Sequence, residues 1–92
     1  MSKISIKNAG KIKAEILALL FEQSPKALFT KEVAHTIVRD EEFTKRLLLE
    51  LKNDGLTREI TLSEKGALYR ARRRWQLTSK AFDAYAKLVS ES

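Results

Sequence analysis

The stretch Val38-Arg39-Asp40-Glu41-Glu42-Phe43-Thr44-Lys45-Arg46-Leu47-Leu48-Leu49-Glu50-Leu51-Lys52-Asn53-Asp54-Gly55-Leu56 carries most of the structural information in this chain. Asp40 is a good helix N-cap, and Glu41 and Glu42 follow where the positive end of a helix dipole favours acids. Phe43, Thr44, Leu47, Leu48 and Leu51 then recur at three- and four-residue steps, so they share one helix face and predict its burial. Glu42, Lys45, Arg46, Leu49 and Asn53 fall on the opposite face. Gly55 closes the helix, because glycine readily takes the left-handed backbone that often follows a last turn.

Toward the N-terminus, Thr30 predicts the cap of a shorter helix from Lys31 to about Arg39, with Glu32 in its first turn and Val33, Ala34, Ile37 and Val38 as its buried face. Ala27 to Phe29 reads as an extended connector. Pro25 ends an earlier amphipathic helix from Lys11 to Gln23, whose Ile12, Ile16, Leu19 and Leu20 point inward. Residues 1–9 read as a flexible basic arm or a solvated tail.

After Gly55 the period changes from about 3.6 to 2. Leu56, Arg58, Ile60 and Leu62 alternate with Thr57, Glu59, Thr61 and Ser63, as in a half-buried strand. A turn follows at residues 63–66. Residues 71–77 alternate again, with Ala71, Arg73, Trp75 and Leu77 on one face and Arg72, Arg74 and Gln76 on the other. Symmetric pairing of the two strands sets Glu59 opposite Arg74 and Arg58 opposite Trp75. The alternative for residues 63–75 is a helix capped at Ser63, since Leu68, Ala71, Arg72 and Trp75 are also helically spaced. Thr78 caps a last helix with an apolar stripe of Ala81, Phe82, Tyr85, Leu88 and Val89.

The expected fold is therefore α+β and mostly helical: three helices, a two-stranded hairpin and a C-terminal helix. That order resembles the winged helix-turn-helix proteins. Phe43 to Leu56 looks like their recognition helix and strand entry, which often end in Leu-x-x-x-Gly-Leu, here Leu51 to Leu56. Arg74-Trp75-Gln76-Leu77-Thr78 is similar to the return from wing to last helix in compact archaeal and phage repressor-like regulators. The resemblance covers nearly the whole chain. It implies a single winged-helix domain over 1–92, a recognition helix at 41–54, a wing at 56–77, and transcription regulation by occupancy of duplex DNA.

Composition agrees with a polyanionic partner. The 92 residues are 43% hydrophobic, enough for one modest core, and 18 Lys and Arg against 12 Asp and Glu give a net charge of +6. Residues 55–77 hold six bases against two acids, whereas 30–54 hold five against six. The longest apolar run, Ile16 to Phe21, is far below the roughly 18 residues of a membrane span, so no membrane partner is expected. The chain has no cysteine and one histidine. That inventory offers no disulfide or thiolate metal site and fits a cytoplasmic location. His35 reads as a surface residue or phosphate contact. Ser63 and Thr78 read as turn and cap residues rather than nucleophiles, and the acids are scattered among bases, so neither enzymatic activity nor a cofactor is expected.

The expected DNA contacts follow from chemistry and place. Arg46 can fork onto guanine O6 and N7, Asn53 can pair with adenine or reach a phosphate, and Lys45 can add a phosphate contact. The competing reading is a solvated face on which Glu42 and Glu50 pair with Arg46 at four-residue spacing. Arg70, Arg72, Arg73 and Arg74 form a dense basic cluster with Lys65 at the hairpin tip. Alternate strand residues lie about 6.8 Å apart, so Arg72 and Arg74 would form a ladder beside phosphates. The competing use of such charges is to protect a strand edge. Trp75 is expected in the core rather than as a base-stacking platform. Leu49 is expected to be exposed, touching a thymine methyl or a protein partner. Phe82, Tyr85 and Val89 are assigned to a homodimer interface, which in small winged helices resembling this one is often built from terminal helices. Structured-RNA binding and a protein-interaction module remain as alternatives.

Overall fold

The computed structural model describes residues 6–60 and 73–90, with side chains from Ala9 onward. The elements are α1 (Ile6–Gln23), β1 (Leu28–Phe29), α2 (Thr30–Ile37), α3 (Glu41–Asn53), β2 (Thr57–Ile60), β3 (Arg74–Leu77) and α4 (Ser79–Ser90). The three strands form one antiparallel sheet in the order β1-β3-β2. The expected α+β order stands, with one more strand.

The core lies where α1, α2 and α3 meet the inner face of this sheet. Ile16 and Leu20 of α1, Val33 of α2, Leu48 of α3 and Trp75 of β3 are all fully buried. Each such aliphatic side chain contributes about 1.5 to 3 kcal/mol of burial free energy. Helix α3 is built as its pattern predicts: Asp40 Oδ2 accepts from the Phe43 amide at 3.1 Å, and Thr44, Leu47, Leu48 and Leu51 are buried. Phe43 is only half-buried. Gly55, at φ 79°, turns the chain out of the helix and donates its amide to Lys52 O at 3.0 Å. Thr78 caps α4, its Oγ1 accepting from the Ala81 amide at 3.1 Å and donating to Gly55 O at 2.8 Å.

Five local expectations are corrected. Helix α1 begins at Ile6, so residues 6–9 of the expected arm are helical, while 1–5 lie outside the described residues. The connector before α2 is strand β1, which pairs Leu28 with Trp75 and Phe29 with Arg74. Two residues are too few to show a period, and only the waiting edge of β3 makes them a strand. Thr30 is the first residue of α2 rather than its cap. Phe29 holds the cap position, its amide donating to Glu32 Oε1 at 2.9 Å, and the Thr30 hydroxyl instead accepts from Trp75 Nε1 at 2.8 Å. That bond satisfies an indole donor whose burial unpaired would cost about 1 to 3 kcal/mol.

Val38, expected on the buried face of α2, is 79% exposed, at φ 55° and ψ 54°. The helix stops at Ile37, and the left-handed residue turns its side chain to solvent. This conformation costs a β-branched residue about 1 to 2 kcal/mol.

Strand β2 has the opposite phase to the expected one. Thr57 is buried and Arg58 exposed, and the pairs are Thr57 with Leu77, Arg58 with Gln76, Glu59 with Trp75 and Ile60 with Arg74. The register is thus one residue from the symmetric guess, and a one-residue slip exchanges the faces of a strand. The inward threonine is satisfied because its Oγ1 donates to Leu48 O at 3.1 Å. As for the alternative of a helix to Trp75, Arg74 and Trp75 belong to β3, and residues 61–72 lie outside the described residues.

Candidate functional site

Helix α3 turns its polar face away from the core, so its outer surface is assembled by the same periodicity that buries its leucines. On that face Glu42, Arg46 and Asn53 are exposed and Lys45 is half-buried. The Arg46 guanidinium lies 5.3 Å from the centroid of the Phe43 ring, which holds it against the helix while leaving the side chain in solvent. Glu50 does not pair with Arg46. Its carboxylate binds Lys13 Nζ of α1 at 2.8 Å, tying α3 to α1. Nor does Glu42 pair with Arg46 among the described residues, so the solvated-face reading loses both of its predicted ion pairs. Leu49, expected to be exposed, is half-buried and packs against the core, so it is a poor anchor for a partner.

The hairpin holds the second group of candidates. Lys65, Arg70 and Arg72 lie outside the described residues. Arg73 is exposed and its Nε donates to Glu59 Oε2 at 2.9 Å. Arg74 is half-buried on the outer sheet face, its guanidinium 5.8 Å from the Phe29 ring centroid. Arg73 and Arg74 therefore point to different faces, as the alternation predicts, and Trp75 is fully buried as expected.

Three residues were missed in reading the sequence. Arg58 is exposed on the outer face beside Gln76, and the misphased strand hid it. Glu59 and Lys52 form a junction with Arg73, with Lys52 Nζ 3.0 Å from Glu59 Oε1. The available signal was Glu59 itself, one of two acids against six bases in segment 55–77.

The described residues cover the last helix only in part. Phe21 of α1 packs on Phe82 and Tyr85 of α4, with ring centroids 5.0 and 4.7 Å apart. Phe82, Leu88 and Val89 are nonetheless 36%, 65% and 49% exposed. Beside them runs an apolar groove of about 250 Å³ lined by Leu17, Leu56, Leu77, Ala81, Ala84, Tyr85 and Leu88. His35 is exposed on α2. Among the described residues no group of three His, Cys, Asp or Glu could hold a metal ion, and no helix is long and apolar enough to cross a membrane.

No protein-family model and no curated protein matches the sequence. Solved structures match the fold. ZitR of Lactococcus lactis, in the apo form, superposes with a TM-score of 0.71 at 19% identity, over 92% of this chain and 59% of its own. MepR of Staphylococcus aureus in complex with DNA gives 0.68 at 18% identity, over 87% of this chain and 64% of its own. A Ralstonia eutropha protein assigned as DNA-binding gives 0.66 at 18% identity, over 85% of this chain and 94% of its own. The chain thus spans less than two thirds of ZitR and MepR but nearly all of the Ralstonia protein. MepR is a transcription regulator of the multidrug efflux pump MepA. At these identities the likeness is one of fold, and the fold is the winged helix of such regulators.

Proposed function

We propose that this chain is a winged-helix transcription regulator that binds duplex DNA through α3 and the β2–β3 wing. The observation that carries the reading is the outer face of α3. Lys45, Arg46 and Asn53 lie there together, opposite the buried leucines, on the helix that this fold presents to the major groove. Arg46 reads a guanine edge, Asn53 an adenine or a phosphate, and Lys45 a phosphate. Lys65, Arg70, Arg72 and Arg74 of the wing hold the backbone, and Arg73 adds a phosphate contact through the nitrogens that Glu59 does not engage. Glu41 and Glu42 oppose phosphate at the start of α3, so the wing supplies much of the affinity. Neighbours that include a DNA complex support this reading, as does the net charge of +6.

The same proposal makes the protein a homodimer. Phe82, Tyr85 and Val89 of α4 meet their counterparts across a two-fold axis, which presents two α3 helices to half-sites about 34–36 Å apart. The function is occupancy, with no catalytic step.

Fluorescence anisotropy with a random-sequence duplex over a salt series tests the reading. A log–log slope of about −4 to −6 is expected, and Arg72→Ala with Arg74→Ala should reduce it by about one or two. Absence of binding at low salt would overturn it, and preference for a structured RNA competitor would replace DNA with RNA.

A further inference from the structure

Glu59 is an acid in the most basic part of the chain, and it points inward. Its side chain is only 9% exposed, opposite Trp75 in the sheet, and it binds two cations from two other places. Oε1 takes Lys52 Nζ from the last turn of α3 at 3.0 Å, and Oε2 takes Arg73 Nε at the entry to β3 at 2.9 Å. One carboxylate therefore joins the helix to both strands of the wing. A nearly buried carboxylate carries a desolvation cost that only such partners offset, so a solubility role does not account for it.

The second attachment explains why this junction matters. Two residues before Glu59, Thr57 Oγ1 donates to Leu48 O at 3.1 Å in the buried interior. Thr57 and Glu59 share one face of β2, and Leu48 and Lys52 are one turn apart on α3. A single contact between a helix and a strand is a pivot, whereas two contacts define an angle. The Thr57 bond is the pivot and the Glu59 junction sets the angle.

We propose that Glu59 is a positioning residue for nucleic-acid binding, locking the wing to α3 at the angle at which both reach one duplex. This rests on the DNA-binding reading, and it makes a prediction opposite to that of charge alone. Glu59→Gln removes a negative charge and releases two positive ones, so electrostatics by itself predicts tighter binding to a polyanion. Loss of the angle predicts weaker binding.

The test has two arms on the full chain. Amide hydrogen exchange of the free protein reads the lock without DNA: in Glu59→Gln, amides of residues 57–60 and 74–77 should exchange faster while those of α1 keep their rates. Unchanged exchange in the two strands overturns the proposal. In the second arm, duplex affinity is measured for wild type, Glu59→Gln and Glu42→Gln across a salt series. Glu42→Gln removes the same charge from the outer face of α3 and should bind more tightly. Glu59→Gln should bind about tenfold more weakly at 0.1 M salt, the value of one lost phosphate contact, with a slope shallower by about one. Tighter binding by both variants overturns the proposal. Failure of the wild type to bind duplex overturns the DNA-binding reading, and the lock is then judged by exchange. Should Glu59→Gln not fold, Lys52→Gln cuts only the arm to α3 and must by itself speed exchange in β2. Unchanged exchange there is equally fatal.

Discussion

Helices α3 and α4 begin as near equivalents and finish differently. They have 13 and 12 residues, each is amphipathic, and each is started by a side chain that accepts a third-residue amide at 3.1 Å, Asp40 for one and Thr78 for the other. Helix α3 buries Thr44, Leu47, Leu48 and Leu51 at 2% exposure or less, and its remaining face is polar. Helix α4 buries only Ala81, and Phe82, Leu88 and Val89 keep a third or more of their surface in solvent. An amphipathic pattern states that a face will be covered, but not by what. The face of α3 is covered by its own chain, whereas that of α4 borders an apolar groove that the described residues leave open.

The largest expected effect breaks the symmetry outright. Leu48→Ala should cost about 3 to 4 kcal/mol in denaturant unfolding, because it empties a fully packed site, whereas Leu88→Ala should cost less than about 0.5 kcal/mol in a monomer. A comparable cost at Leu88, with a Tm that rises with protein concentration, would mean that a second copy covers α4.

The next effect sharpens the contrast. Val89→Asp, at a side chain 49% exposed, should yield a monomer in sedimentation at concentrations where the wild type is dimeric, while unfolding free energy extrapolated to the monomer changes by under about 1 kcal/mol. A wild type that sediments as a monomer throughout would remove the dimer from the proposed function.

The caps offer a smaller and more even comparison. Asp40→Ala and Thr78→Ala should each cost about 1 kcal/mol. Thr78→Ala should be the more costly, since its hydroxyl also holds Gly55 O at 2.8 Å. Equal losses in chemical denaturation would show that the tie from α4 to the end of α3 contributes little.

The smallest effect is a gain. Val38 is strained and 79% exposed, so Val38→Gly should stabilise the protein by about 0.5 to 1 kcal/mol, read as a raised Tm. No gain would mean that Val38 makes compensating contacts at the turn between α2 and α3.

The helices, their order, the caps at Asp40 and Thr78, the stop at Gly55 and the polar face of α3 were all legible in the sequence. Each depends on interactions within about four residues, and such local signals survive without knowledge of the fold. The candidates Lys45, Arg46 and Asn53 could be placed on one face for the same reason. What the tertiary structure decided were the long-range pairings. Leu28 and Phe29 became a strand only because β3 presents an edge to them. Thr57 and Glu59 turned inward against their polarity because Leu48 O and the cations of Lys52 and Arg73 satisfy them there. Thr30 exchanged a capping role for the indole of Trp75, 45 residues away. A polar side chain can be buried when its partner is in place, and that partner is set by the fold rather than by its neighbours in sequence.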